Sequence, residues 1–69
     1  MNVQDVVEVV KEERRRKGWT QYRLAKESGI SREMIAKLEL GAHMPRIDTL
    51  LKLCRALSLD VMIRRKGKS

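Results

Sequence analysis

The chain has no phenylalanine, and tryptophan, tyrosine, cysteine, histidine and proline occur once each in its 69 residues. One cysteine excludes an internal disulfide, and the single His43 and single Cys54 cannot make a zinc site of recognisable spacing. The chain therefore reads as a reduced, cytoplasmic protein with no metal and no cofactor. No apolar run approaches the ~20 residues of a membrane span. Asp5 and Glu8 interrupt the first valines where a signal peptide needs an apolar segment, so none is expected. Acidic residues are in deficit: nine Asp and Glu against sixteen Lys and Arg leave a formal charge of +7. An excess that large on a small domain points to an anionic partner, nucleic acid first and anionic membrane second, with solubility alone as the bland alternative. No acid and base pair at useful spacing and no glycine loop can cradle phosphate, so the chain is not expected to be an enzyme.

Helix formers dominate what remains, and that favours an all-α fold. At this length one domain is expected, burying only about 60% of the surface its unfolded form exposes. Val3, Val6, Val7 and Val10 fall at i, i+3, i+4 and i+7, one buried helical stripe. That helix should end at Gly18, with Arg14 to Lys17 in the last turn, where the helix dipole favours cations. Thr20 reads as the N-cap of a second helix over 21–28, and Ser31 as the N-cap of a third over 32–40. Gly29 between them supplies a positive-φ corner, and Leu24, Ala25, Ile30, Ile35 and Leu38 should face inward. After the loop AHMPR, a fourth helix over 47–57 should bury Ile47, Leu50, Leu51, Cys54 and Leu57. The reading is a compact bundle of four to five short helices around a central helix-turn-helix, with residues 1–59 as the domain and 60–69 as a strand-like segment and basic tail.

If Ile35 and Leu38 mark the buried side of the third helix, Glu33, Ala36, Lys37 and Leu40 point outward, with Arg32 on the flank. A short helix held rigidly with its N-terminus forward has the dimensions of a DNA major groove. Arg can donate two hydrogen bonds to guanine, and Glu can accept from cytosine. Phosphate contacts should come from Gln21, Arg23, Lys26, Lys37 and Arg46, with His43 a further loop contact.

Gln21, Leu24, Ala25, Gly29, Ile35 and Leu38, then Glu39 and Gly41, with KGWTQ ahead and TLLKLCRAL behind, resemble the lambda repressor and Cro-like (XRE-type) helix-turn-helix domains. The resemblance spans about residues 6 to 59. It implies double-stranded DNA as partner rather than a membrane, base readout by Ser31, Arg32, Glu33 and Lys37, and phosphate binding by Gln21. It also implies a salt bridge between Arg14 and Glu39. Leu40 departs from the family's polar residue, and Arg46 stands where Ser is common.

The tail alternates Leu59, Val61 and Ile63 with Asp60, Met62 and Arg64, a period of two. One strand lacks a partner in a helical chain, so the segment either frays or strands 60 to 65 of two copies pair as an antiparallel ribbon on helix 4, giving a homodimer. Two recognition helices would then reach half-sites ~34 Å apart. This reading makes the protein a repressor on a palindromic operator. A strand after the fourth helix and a basic tail are also similar to the DNA-binding antitoxins of type II toxin–antitoxin modules, which hold a protein toxin.

Overall fold

Three polar side chains start three of the helices by taking up backbone donors that a helix leaves unpaired. The Asn2 side chain accepts from the Asp5 N–H at 2.9 Å, while the Asn2 N–H donates to the Asp5 carboxylate at 2.9 Å, a reciprocal box. Thr20 Oγ1 accepts from the Arg23 N–H at 2.9 Å, and Ser31 Oγ from the Met34 N–H at 3.1 Å. A computed structural model of the chain describes residues 2–63, 65 and 67. Among them are four helices: α1 (Val3–Arg16), α2 (Gln21–Ser28), α3 (Arg32–Glu39) and α4 (Ile47–Ala56). The bundle is therefore all-α, with α2 and α3 as its helix-turn-helix. Helices three and four each stop one residue before the expected end. No strand occurs among the described residues.

Gly29 closes α2 at φ 78°, in the left-handed region where a β-carbon is strained. Its N–H donates to the Ala25 carbonyl at 2.9 Å, and the chain re-enters a helix only three residues later.

The core joins all four helices: Val7 and Val10 from α1, Leu24 from α2, Ile35 and Leu38 from α3, and Leu50, Leu53 and Cys54 from α4, closed by Leu57. Trp19, Ala25, Ile30 and Leu59 pack half-buried against it. Burial pushes the Cys54 thiol up, which keeps it neutral and suits a small core filler. Three expected core positions differ. Val3 is exposed, because α1 with fourteen residues overhangs the eight-residue helices it packs among. Ile47 is 72% exposed at the first position of α4, below the reach of the other helices. Leu51 is 41% exposed, and Leu53 is buried in its stead. The inward stripe is Leu50, Leu53, Cys54 and Leu57, at i, i+3, i+4 and i+7, and Leu51 lies about 100° round from Leu50.

Of the expected ribbon, Leu59 packs on the core, whereas Val61 and Ile63 are exposed, Ile63 to 91%. Arg64, Lys66, Lys68 and Ser69 of the strand and basic tail lie outside the described residues.

Through this apolar core runs one buried ionic network. Arg14 donates from Nε to Glu39 Oε2 at 2.7 Å and from Nη2 to Oε1 at 2.8 Å, and Nη1 reaches the Trp19 carbonyl at 2.7 Å. Gln21 Nε2 adds a bond to Glu39 Oε1 at 2.9 Å. The last turn of α1, the α1–α2 turn, the first residue of α2 and the last of α3 are thereby locked together.

Burial alone would raise the Glu39 carboxyl. The bonds from Arg14 and Gln21, helped by the charges of Arg14 and Lys11, outweigh it and hold the group below the usual carboxylate range. A depressed folded pKa means that the network contributes fully above the unfolded value of about 4.3, and that the contribution is lost as pH falls through the folded value. Stability measured by urea unfolding should therefore fall as pH drops below about 4.3. Glu39→Gln should flatten that acid limb; an unchanged limb would contradict the role given to Glu39. Glu39→Ala should cost about 3–5 kcal/mol, because it strands a buried guanidinium.

Gly29→Ala is expected to cost about 1–2 kcal/mol from backbone strain alone, since a β-carbon there meets nothing within 4 Å. Gly29→Asn should cost less, because Asn tolerates the left-handed region. Equal melting temperatures for Gly29→Ala and the unaltered chain would count against the corner.

Candidate nucleic-acid interface

Helix α3 has eight residues, too short to persist alone in water. Two anchors hold it. Ile35 and Leu38 sit in the core, and Glu39 binds Arg14 and Gln21. With Ile35, Leu38 and Glu39 inward, the opposite side of the helix is fixed. Arg32, Glu33, Lys37 and Leu40 are exposed there, with Ala36 half-buried between them.

The ionic state of this face differs from that of three arginines elsewhere on the surface. Arg16 is paired with Glu13, Arg23 with Glu27 at 2.9 Å, and Arg46 with Asp48 at 3.4 Å. Among the described residues, Arg32, Glu33 and Lys37 have no ion partner. Glu33 and Lys37 stand at i and i+4, a spacing that often pairs, yet they do not meet. Three charged groups thus project outward with their hydrogen-bonding capacity open. Ser31, exposed at the start of the helix, accepts from Met34 N–H through its Oγ and keeps its hydroxyl hydrogen as a donor.

The residues expected around the rim fall into two groups. Lys26 and His43 are exposed and carry no side-chain hydrogen bond among the described residues. Arg23, Arg46 and Gln21 are already engaged. The Arg23 guanidinium lies 4.5 Å from the Trp19 ring centroid as well as on Glu27, which holds it extended along α2. Arg46 has a side chain 84% exposed, so its contact with Asp48 leaves most of its donors free. Gln21, half-buried, gives one amide hydrogen to Glu39 and keeps the second, together with its carbonyl oxygen.

Two features went unread in the sequence. The Gln21–Glu39 bond spans 18 residues and follows no local spacing rule. The stack of Arg23 on Trp19, with Lys17 on the same ring at 5.9 Å, had only the lone tryptophan beside a basic run as its signal.

No group of three or more His, Cys, Asp or Glu that could hold a metal ion occurs among the described residues. No helix of the described residues is long and apolar enough to cross a membrane.

Residues 10–61 match the helix-turn-helix family. Over 52 residues the chain is 38% identical to a Bacillus subtilis (strain 168) protein called an uncharacterized HTH-type transcriptional regulator, YgzD; the match covers 75% of this chain and 79% of that protein. The family match takes in α2, the Gly29 corner, α3 and α4, and the relative shares most of the chain's length. The chain belongs to the helix-turn-helix family, in the lambda repressor and Cro-like (XRE-type) group that its motif resembles.

Proposed function

We propose that the protein is a sequence-specific DNA-binding transcription regulator that reads bases with the outward face of α3. Family membership and a relative called a transcriptional regulator support the DNA-binding part of this reading. The observation that carries it is the face itself. Arg32, Glu33 and Lys37 are exposed, borne on a helix fixed from behind, and without an ion partner among the described residues. A helix backbone fixed from behind presents these side chains in a set register, and contacts to base edges are where discrimination between bases is gained.

In this reading Ser31, Arg32, Glu33 and Lys37 meet base edges. Gln21, Arg23, Lys26, His43 and Arg46 hold the sugar–phosphate backbone on either side. The charge of +7 supplies the long-range attraction. Leu40 is exposed at the C-cap of α3 and offers no side-chain hydrogen bond, so in this reading backbone anchoring falls to the loop and Arg46.

A single eight-residue helix reads too few base pairs to single out one site, and this favours a homodimer on a palindromic operator, acting as a repressor. Leu59, Val61 and Ile63 are the dimerising residues of the ribbon form of that reading. The exposed apolar run Val61, Met62 and Ile63 also favours a second reading, an antitoxin whose protein toxin covers the same segment.

Arg32→Ala should weaken binding to the selected site by about 1–3 kcal/mol while nearly sparing random duplex, measured by fluorescence anisotropy at fixed salt. Equal losses on both duplexes would remove Arg32 from base reading. Selection from random duplex DNA should return an inverted repeat with half-site centres about 34 Å apart. An unrepeated half-site would contradict the homodimer.

A further inference from the structure

The lone tryptophan is tied into the buried network through its backbone. The Trp19 N–H donates to the Arg14 carbonyl at 3.0 Å, and the Trp19 carbonyl accepts from Arg14 Nη1 at 2.7 Å. Arg14 in turn grips Glu39, the last residue of α3. The side chain packs half-buried against the core. Trp19 is therefore set in the same rigid frame as the outward face of α3.

The indole ring carries two cations that the core does not require. The Arg23 guanidinium carbon lies 4.5 Å from the ring centroid, and Lys17 Nζ stands 5.9 Å from it. Glu27 takes the Arg23 Nε at 2.9 Å. With a face toward the indole and Nε on a carboxylate, the guanidinium is restrained in both tilt and direction. Its Nη1 and Nη2 make no hydrogen bond among the described residues, and the side chain is 51% exposed. Those two nitrogens form an open edge of the fork that fits two phosphate oxygens. Lys17 is exposed without an ion partner among the described residues, and adds a second positive charge beside the same ring. Ordering a long side chain costs free energy when it happens on binding, and here two contacts order Arg23 beforehand. Packing alone asks only for an apolar side chain at position 19, which leucine would satisfy. The aromatic face is what the arginine uses.

We infer that Trp19 is a positioning residue for phosphate contact, its ring and Glu27 together holding Arg23 so that the Nη1–Nη2 edge meets the DNA backbone. This rests on the DNA-binding reading and deepens it, adding a residue that acts through Arg23 rather than by touching DNA.

A double-mutant cycle tests the coupling, with binding to the selected duplex and to random duplex followed by fluorescence anisotropy over a range of salt. Trp19→Leu should raise the dissociation constant about two- to fivefold. The rise should be equal on both duplexes, because a phosphate contact carries no sequence information. Arg23→Ala should weaken binding further and flatten the slope of log K against log salt by about 0.9. In the Arg23→Ala background Trp19→Leu should have no further effect, and Trp19→Phe should recover part of the loss by restoring an aromatic face. Circular dichroism checks that each variant folds. The Arg23 Nε–Hε resonance needs no substitution at position 19: it should be ring-current shifted in the free chain and move when duplex is added. Additive losses, a Trp19→Leu chain that binds like wild type, a loss confined to the selected duplex, an unchanged salt slope in Arg23→Ala, Trp19→Phe no better than Trp19→Leu, or an Arg23 resonance unmoved by saturating duplex would each overturn the proposal. Any of these with a wild-type chain that binds both duplexes strikes the role of Trp19 and leaves the DNA reading standing. A wild-type chain that binds neither strikes both.

Discussion

The bidentate pair between Arg14 and Glu39 is the constraint on which the rest of the structure depends. It connects the end of α1 to the end of α3, and the Trp19 carbonyl and Gln21 amide extend it to the start of α2. A buried pair of this kind adds little net stability, since desolvating two ions offsets most of their attraction. What it adds is discrimination among arrangements. An apolar core of Leu, Ile and Val can tolerate small slips of one helix on another. A guanidinium whose Nε, Nη1 and Nη2 each need an acceptor tolerates none without leaving a buried donor unpaired.

That rigidity reaches the outward face because α3 is so short. With only eight residues, the distance from Glu39 back to Arg32 is two turns, so fixing one end fixes the whole rod. The Ser31 cap and the Gly29 corner hold the other end. Arg32, Glu33 and Lys37 thus inherit their placement from Ile35, Leu38 and Glu39 behind them. The same division appears in the surface charges. Arg16, Arg23 and Arg46 are tied to Glu13, Glu27 and Asp48, while Arg32, Glu33 and Lys37 of α3 have no ion partner among the described residues.

Most of the architecture was legible in the sequence, because the punctuation is local. Thr20, Gly29 and Ser31 act within four residues of themselves, and the stripes Val7–Val10 and Ile35–Leu38 report their own faces. The errors share a cause. Val3, Ile47 and Leu51 fit or nearly fit a buried stripe, but burial also needs a partner helix alongside, and end positions and stripe edges lack one. The dense run of leucines in α4 lets Leu51 and Leu53 exchange places in the pattern, and the structure buries Leu53. Gln21 reads in sequence as a phosphate ligand, and its tie to Glu39 depends on how three helices meet, which no single window of sequence contains. The segment after Leu59 alternates like a strand, yet a strand needs hydrogen-bonded neighbours, and the described residues of one chain offer none.

The central claim is that the side of α3 facing away from the core is the surface that meets DNA. An NMR titration of the uniformly labelled chain with a duplex obtained by selection tests it most directly. The account predicts that the largest shifts fall on residues 31–37, with smaller ones at Gln21, Lys26 and Arg46, and that core residues such as Leu24 and Leu53 scarcely move. Largest shifts on α1 or α4, with residues 31–37 unmoved at saturation, would contradict it.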